Sequence, residues 1–90
     1  MALFSFLLLP GYTHIIKPDP TIEGPACGLL PLSGPASDVS THGLQWDLSH
    51  SRLALGEFIS SSNRLAAGCD TVTVTTDVPL VWTIELLPGD

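Results

Sequence analysis

The side chains able to do chemistry in this sequence are few and scattered. Three histidines (His14, His42, His50) and two cysteines (Cys27, Cys69) are its soft metal ligands. Zinc sites pair such residues at short spacings, as Cys-x2-Cys or His-x3-His. Here the nearest two, His42 and His50, stand eight apart, and neither cysteine has a local partner. Solvated histidines, with no metal and no other cofactor, are therefore expected. Nine serines are present but no Gly-x-Ser-x-Gly elbow holds one of them, so grouping a serine with His42 or His50 and Asp47 would only pick abundant residues. The acidic pairs Asp19 with Glu23, and Asp38 with Asp47, lie in or beside proline-rich sequence, where no rigid element would fix two carboxylates at a working separation. Neither G-x-x-x-x-G-K-S nor G-x-G-x-x-G occurs, so phosphate cradling has no anchor. No catalytic residue is assigned, and the chain reads as non-enzymatic.

Two other features bear on binding. Trp46 and Trp82 could stack on a ligand, but a tryptophan at a helix start and one inside an alternating strand belong more often to a core. Cys27 and Cys69 form a candidate disulfide across 41 intervening residues, a loop whose closure is worth on the order of 3 to 4 kcal/mol. Nucleic acid is excluded as a partner by charge: nine Asp and Glu face three Lys and Arg for a net −6, and Lys17, Arg52 and Arg64 are too far apart to build a phosphate-binding stripe.

The elements that would position these residues follow from composition. The chain has 90 residues, 44% hydrophobic and 13% charged, against about 25% charged in an ordinary soluble domain. Residues 1–11 open with an apolar run in which Leu3, Phe4, Phe6, Leu7, Leu8 and Leu9 form a candidate membrane or partner segment. Extended to Ile16 as a helix it would reach about 24 Å, short of a ~30 Å hydrocarbon core, and Pro10 breaks it first. It also resembles a short signal-peptide core, without a preceding Lys or Arg. Residues 12–44 collect Pro18, Pro20, Pro25, Pro31 and Pro35, each of which disfavours helix before it, so this stretch is expected to be irregular.

Residues 45–90 form the expected folded unit. Between 47 and 67 the residues Leu48, Leu55, Phe58, Ile59 and Leu65 recur at helical spacings, with Asp47 or Ser49 as N-cap and Gly68 past the end. Gly56 and Ser60-Ser61-Ser62 weaken that helix. From 71 to 87 two alternating runs flank Asp77-Val78-Pro79 and read as a β-hairpin. Leu80, Trp82, Ile84 and Leu86 then share one face, a candidate interaction face and a route to self-association. The fold class expected is thus small α+β: an irregular N-terminal half, partly disordered, with one helix and a C-terminal hairpin.

These features point to a small accessory protein that acts through apolar contact with a membrane surface or a protein partner. One alternative is a secreted or lumenal domain with a single disulfide; another is a translated reading frame without selected function. A membrane-associated or secretory location is favoured over the cytoplasm.

Overall fold

The computed structural model describes residues 2–54 and 60–87, and among them every regular element is a strand. In chain order these are β1 (Ala2–Leu8), β2 (His14–Ile16), β3 (Glu23–Pro31), β4 (Ala36–His42), β5 (Ser51–Leu53), β6 (Ser60–Arg64), β7 (Val72–Thr76) and β8 (Leu80–Leu86). They form two antiparallel four-stranded sheets, ordered β1-β8-β3-β6 and β2-β7-β4-β5. A single core joins them: Leu8, Cys27, Leu29, Leu80, Trp82 and Ile84 come from the first sheet, and Ile16, Val39, Leu53, Val72 and Val74 from the second. The architecture is a β-sandwich rather than α+β.

The expected irregular half fails because its prolines occupy the few places a sheet tolerates them. Pro18 and Pro20 lie in the β2–β3 connection, Pro31 ends β3 and Pro35 precedes β4. Pro25 lies within β3, where its register against β8 shifts between Glu23 and Cys27, so no regular ladder bond is asked of it. Beside it Gly24 has φ +80, and a Cβ there would stand 3.0 Å from Leu65 Cδ1, a position only glycine fills at ease.

The expected helix over 47–67 is replaced by β5, β6 and a bridge between Leu44 and Leu65. Leu55, Phe58 and Ile59, which supplied part of its period, lie outside the described residues. The remaining period came from Leu48, buried beneath a loop, and Leu65, half-buried beside the core. Neither needs a helix to reach the interior. Asp47 does cap backbone N–H groups, but those of the preceding Gly43 and Leu44 rather than of a following helix.

The hairpin is corrected in a different way: both strands exist, yet they do not pair. β7 lies between β2 and β4 in one sheet, and β8 between β1 and β3 in the other. Tight hairpins need left-handed backbone at the turn, which Val78 and Pro79 disfavour. The connection instead crosses from sheet to sheet, pinned by the Asp77 carboxylate, which accepts hydrogen bonds from the backbone N–H of Ser37 and Asp38 at 3.1 Å each. Val72, Val74 and Thr76 then face Leu80, Trp82 and Ile84 across the interior.

Candidate binding loop

The most organised irregular segment is the turn between β4 and β5. It begins at Gly43, whose φ is +104 and whose absent Cβ would sit 2.3 Å from the Thr71 carbonyl oxygen, so close packing against β7 requires glycine. Leu44 and Leu48 are both buried and anchor the two ends of the turn. Between them the Asp47 carboxylate accepts from Thr41 Oγ1 and the Leu44 N–H, each at 2.9 Å, and from the Gly43 N–H at 3.3 Å. The Thr41 hydroxyl in turn accepts from the Leu48 N–H at 2.8 Å. A loop with so many internal bonds holds one shape.

What that shape presents is Trp46, 54% exposed. Asn63 of β6, itself buried, grips the tryptophan's backbone on both sides. Its Oδ1 accepts from the Trp46 N–H at 3.2 Å, and its Nδ2 donates to the Trp46 carbonyl at 2.8 Å. Next to it the Gln45 N–H donates to the Arg64 carbonyl at 2.8 Å. A groove of about 550 Å³ opens beside this loop, walled by Gln45, Arg64, Leu65 and Pro25 among others. That volume falls within the range of small-molecule sites. An exposed indole on a braced backbone can stack on a flat ring and attract a cation.

The sequence-based candidates lie elsewhere. Leu80, Trp82 and Ile84 are fully buried and Leu86 half-buried, so the proposed interaction face is the inside of the sandwich. Leu3, Phe4, Phe6, Leu7 and Leu9 are exposed along or just beyond the edge strand β1, while Leu8 is buried. Cys27 and Cys69 are free thiols, one buried and one exposed, and burial pushes the Cys27 thiol up to about 12. The histidines are dispersed: His14 Nε2 lies 2.7 Å from the Leu9 carbonyl oxygen, and His50 Nδ1 lies 2.8 Å from Asp38 Oδ1. Among the described residues no three His, Cys, Asp or Glu converge as metal ligands. Trp82 is core, as its strand pattern implied; Trp46 is not. The signal missed was the frame around Trp46, a glycine and two leucines that anchor the turn while leaving its central aromatic outside.

The family model described as "Thiamin pyrophosphokinase, vitamin B1 binding domain" matches residues 13–81. The chain belongs to this family. Among curated proteins it is 43% identical over 81 residues to thiamine pyrophosphokinase 3 of Oryza sativa subsp. japonica, covering 90% of this chain and 30% of that protein. It is 40% identical over 80 residues to thiamine pyrophosphokinase 1 of Arabidopsis thaliana, covering 89% and 29% respectively. The chain thus spans about 30% of the length of the plant relatives it matches. Among solved structures, thiamine pyrophosphokinase from Bacillus subtilis superposes with a TM-score of 0.78 at 17% identity, over 96% of this chain and 39% of that one. Thiamin pyrophosphokinase from Candida albicans gives 0.75 at 29% identity, over 92% and 30%.

Membership corrects the functional expectations. The relatives are named as enzymes, and this chain corresponds to a piece of them, so the non-enzymatic, membrane-associated accessory protein and its alternatives, a secreted single-disulfide domain or a frame without function, give way to a domain of the thiamin pyrophosphokinase vitamin B1 binding family. The motifs sought above, a nucleophile, a metal cluster and a glycine-rich cradle, do not include the braced turn that carries Trp46. Among the described residues no helix is long and apolar enough to cross a membrane.

Proposed function

We propose that this chain binds thiamin, with the indole of Trp46 as the stacking platform and the groove beside Gln45 and Arg64 as the space that receives the rest of the molecule. The observation that carries the reading is the two-sided grip of buried Asn63 on the Trp46 backbone, which holds a half-exposed aromatic without a partner in its own core. Thiamin combines an aminopyrimidine with a positively charged thiazolium. Both rings are flat, and a cation over an indole face is stabilised by about 0.5 to 2 kcal/mol according to how well it is desolvated. The net charge of −6 favours approach of a cation over that of an anion.

The chain's part in the reaction named for its relatives is to hold and orient the acceptor. Transfer of a pyrophosphoryl group also needs a site for the phosphate donor, and this sequence has no phosphate-cradling motif. Donor binding is therefore assigned to the remaining 70% or so of the relatives' length, and this chain supplies the platform against which the thiamin hydroxyl is presented.

Titration of the 90-residue chain with thiamin, read by calorimetry and by quenching of the exposed tryptophan, tests the reading. Saturable binding that weakens at least tenfold in Trp46→Ala, and less in Trp46→Phe, is expected. No saturable binding by the parent, or equal affinity in Trp46→Ala, would overturn it.

A further inference from the structure

Phe4 and Phe6 lie opposite Ile84 and Trp82 in the β1–β8 ladder, and directly opposed residues point to the same face of a sheet. That face is the inside of the sandwich. Ile84 and Trp82 are 0% and 1% exposed, yet Phe4 and Phe6 are 48% and 36% exposed. The reason lies in the second sheet, whose edge strand β2 pairs with β7 only from His14 to Ile16 before Lys17-Pro18 ends it. β1 runs on to Ala2 against β8, so two phenylalanines on the inner face stand beyond the reach of the short strand.

The gap between them is a cavity of about 370 Å³, at the low end of small-molecule sites. Phe4, Phe6, Leu8 and Ile16 wall it, and Lys17 and Glu23 flank it. The two rings meet edge to face at 5.5 Å, which leaves an aromatic surface turned to the space. Trp46 is far from here in the fold, since it is bonded to Asn63 of β6, the opposite edge of the first sheet from β1.

Charge says what kind of molecule fits. Lys17 is the sole lysine of a chain with nine acidic residues, and among the described residues no carboxylate lies within ion-pairing distance of it. Glu23 is turned to the backbone, its Oε2 accepting from the Asp19 N–H at 2.7 Å. We propose that this cavity is a ligand site separate from the Trp46 turn, and that it takes an apolar monocarboxylate, whose hydrocarbon part enters against Phe4 and Phe6 while its carboxylate stays at the rim on the Lys17 ammonium. A cation would meet Lys17 with like charge. A doubly charged phosphate would find no second positive group, because His14 has its Nε2 2.7 Å from the Leu9 carbonyl oxygen and neither arginine lines the cavity. The apolar part supplies the affinity and the ammonium selects the sign.

Calorimetric titration of the 90-residue chain with decanoate should show saturable binding at one site. Octanoate, shorter by two methylenes, should bind about tenfold more weakly, and decyltrimethylammonium at least tenfold more weakly than decanoate. Lys17→Ala should weaken decanoate at least fivefold and leave the thiamin titration unchanged, so that failure of this site and failure of the Trp46 reading are seen separately. Lys17→Glu should reverse the preference between decanoate and decyltrimethylammonium. Phe4→Ala, at an exposed position, should weaken both carboxylates with an unchanged far-UV spectrum. Absence of saturable decanoate binding by the parent overturns the proposal, as does equal affinity for decyltrimethylammonium or an undiminished decanoate affinity in Lys17→Ala.

Discussion

The two tryptophans occupy regions built on opposite principles. Trp82 lies in the middle of β8, paired on both sides by β1 and β3, with Leu80 and Ile84 on the same buried face. Trp46 lies in a turn, exposed, with its backbone rather than its side chain held in place. In the first region the indole is the stabilising group and the backbone follows the sheet. In the second, polar bonds stabilise the backbone and the indole is left free for something else. On the proposed reading, a small domain reserves an aromatic for a ligand by bonding the turn's backbone within the fold, so that ordering the loop is complete before anything binds.

Substitutions at the two sites should separate these roles. Trp82→Ala should cost about 3 to 5 kcal/mol by emptying the centre of the core, measured by urea denaturation; a cost comparable to that of Trp46→Ala would erase the distinction. Next in size, Asn63→Ala removes both bonds to the Trp46 backbone and leaves buried groups unpaired, for about 1 to 3 kcal/mol. It should also weaken thiamin binding although Asn63 is given no contact with the ligand, and calorimetry on variants still folded by circular dichroism would check this. Trp46→Ala should change stability by less than about 0.5 kcal/mol, as at other exposed positions, while removing most of the thiamin affinity.

The smallest expected effect concerns the crossing that delivers β8 into the first sheet. The hydroxyl of Ser37, followed by the Asp38 N–H, holds the Asp77 carboxyl below its ordinary value of 3.8. A folded-state value below the unfolded one means that the unfolded chain binds more protons as pH falls. The Asp77 contribution is thus complete above about pH 4 and is lost as pH drops through the folded value. Asp77→Asn should lower the melting temperature slightly between pH 6 and 7, with a difference from the parent that vanishes as pH falls well below 4, so that the acid limb of a thermal-melting series is flatter. A uniform drop at all pH values would mean that the turn is held by packing instead.

Parts of this fold could be read from residue order. The alternation in residues 72–76 and 80–86 gives two strands with one buried face each, and Trp82 among the buried residues, because side chains on a strand point alternately to its two faces. The crossing between sheets was not readable there, since a strand pattern records which face is buried and not which strand lies alongside. The prolines misled for a related reason. Pro25 and Pro31 exclude a central, regularly paired position, yet a bulge and a strand end satisfy the same restriction as a disordered linker. The helical spacing around Leu48 and Leu65 arose from two leucines that reach the core from a loop and from a bridge next to β6.

For the candidate site, the sequence offered Asp47 or Ser49 as the cap of a helix that is not there, and the Asp47 carboxylate accepts instead from the preceding Gly43 and Leu44 N–H groups. The sequence also supplied the acidic balance that suits a cationic ligand. Only the tertiary structure decided which way Asp47 caps, that Asn63, 17 residues further on, reaches back to Trp46, and that one tryptophan is core while the other is exposed. Local order fixes the direction in which side chains alternate, whereas burial depends on which distant strand is folded against them, and that information is spread over the whole chain.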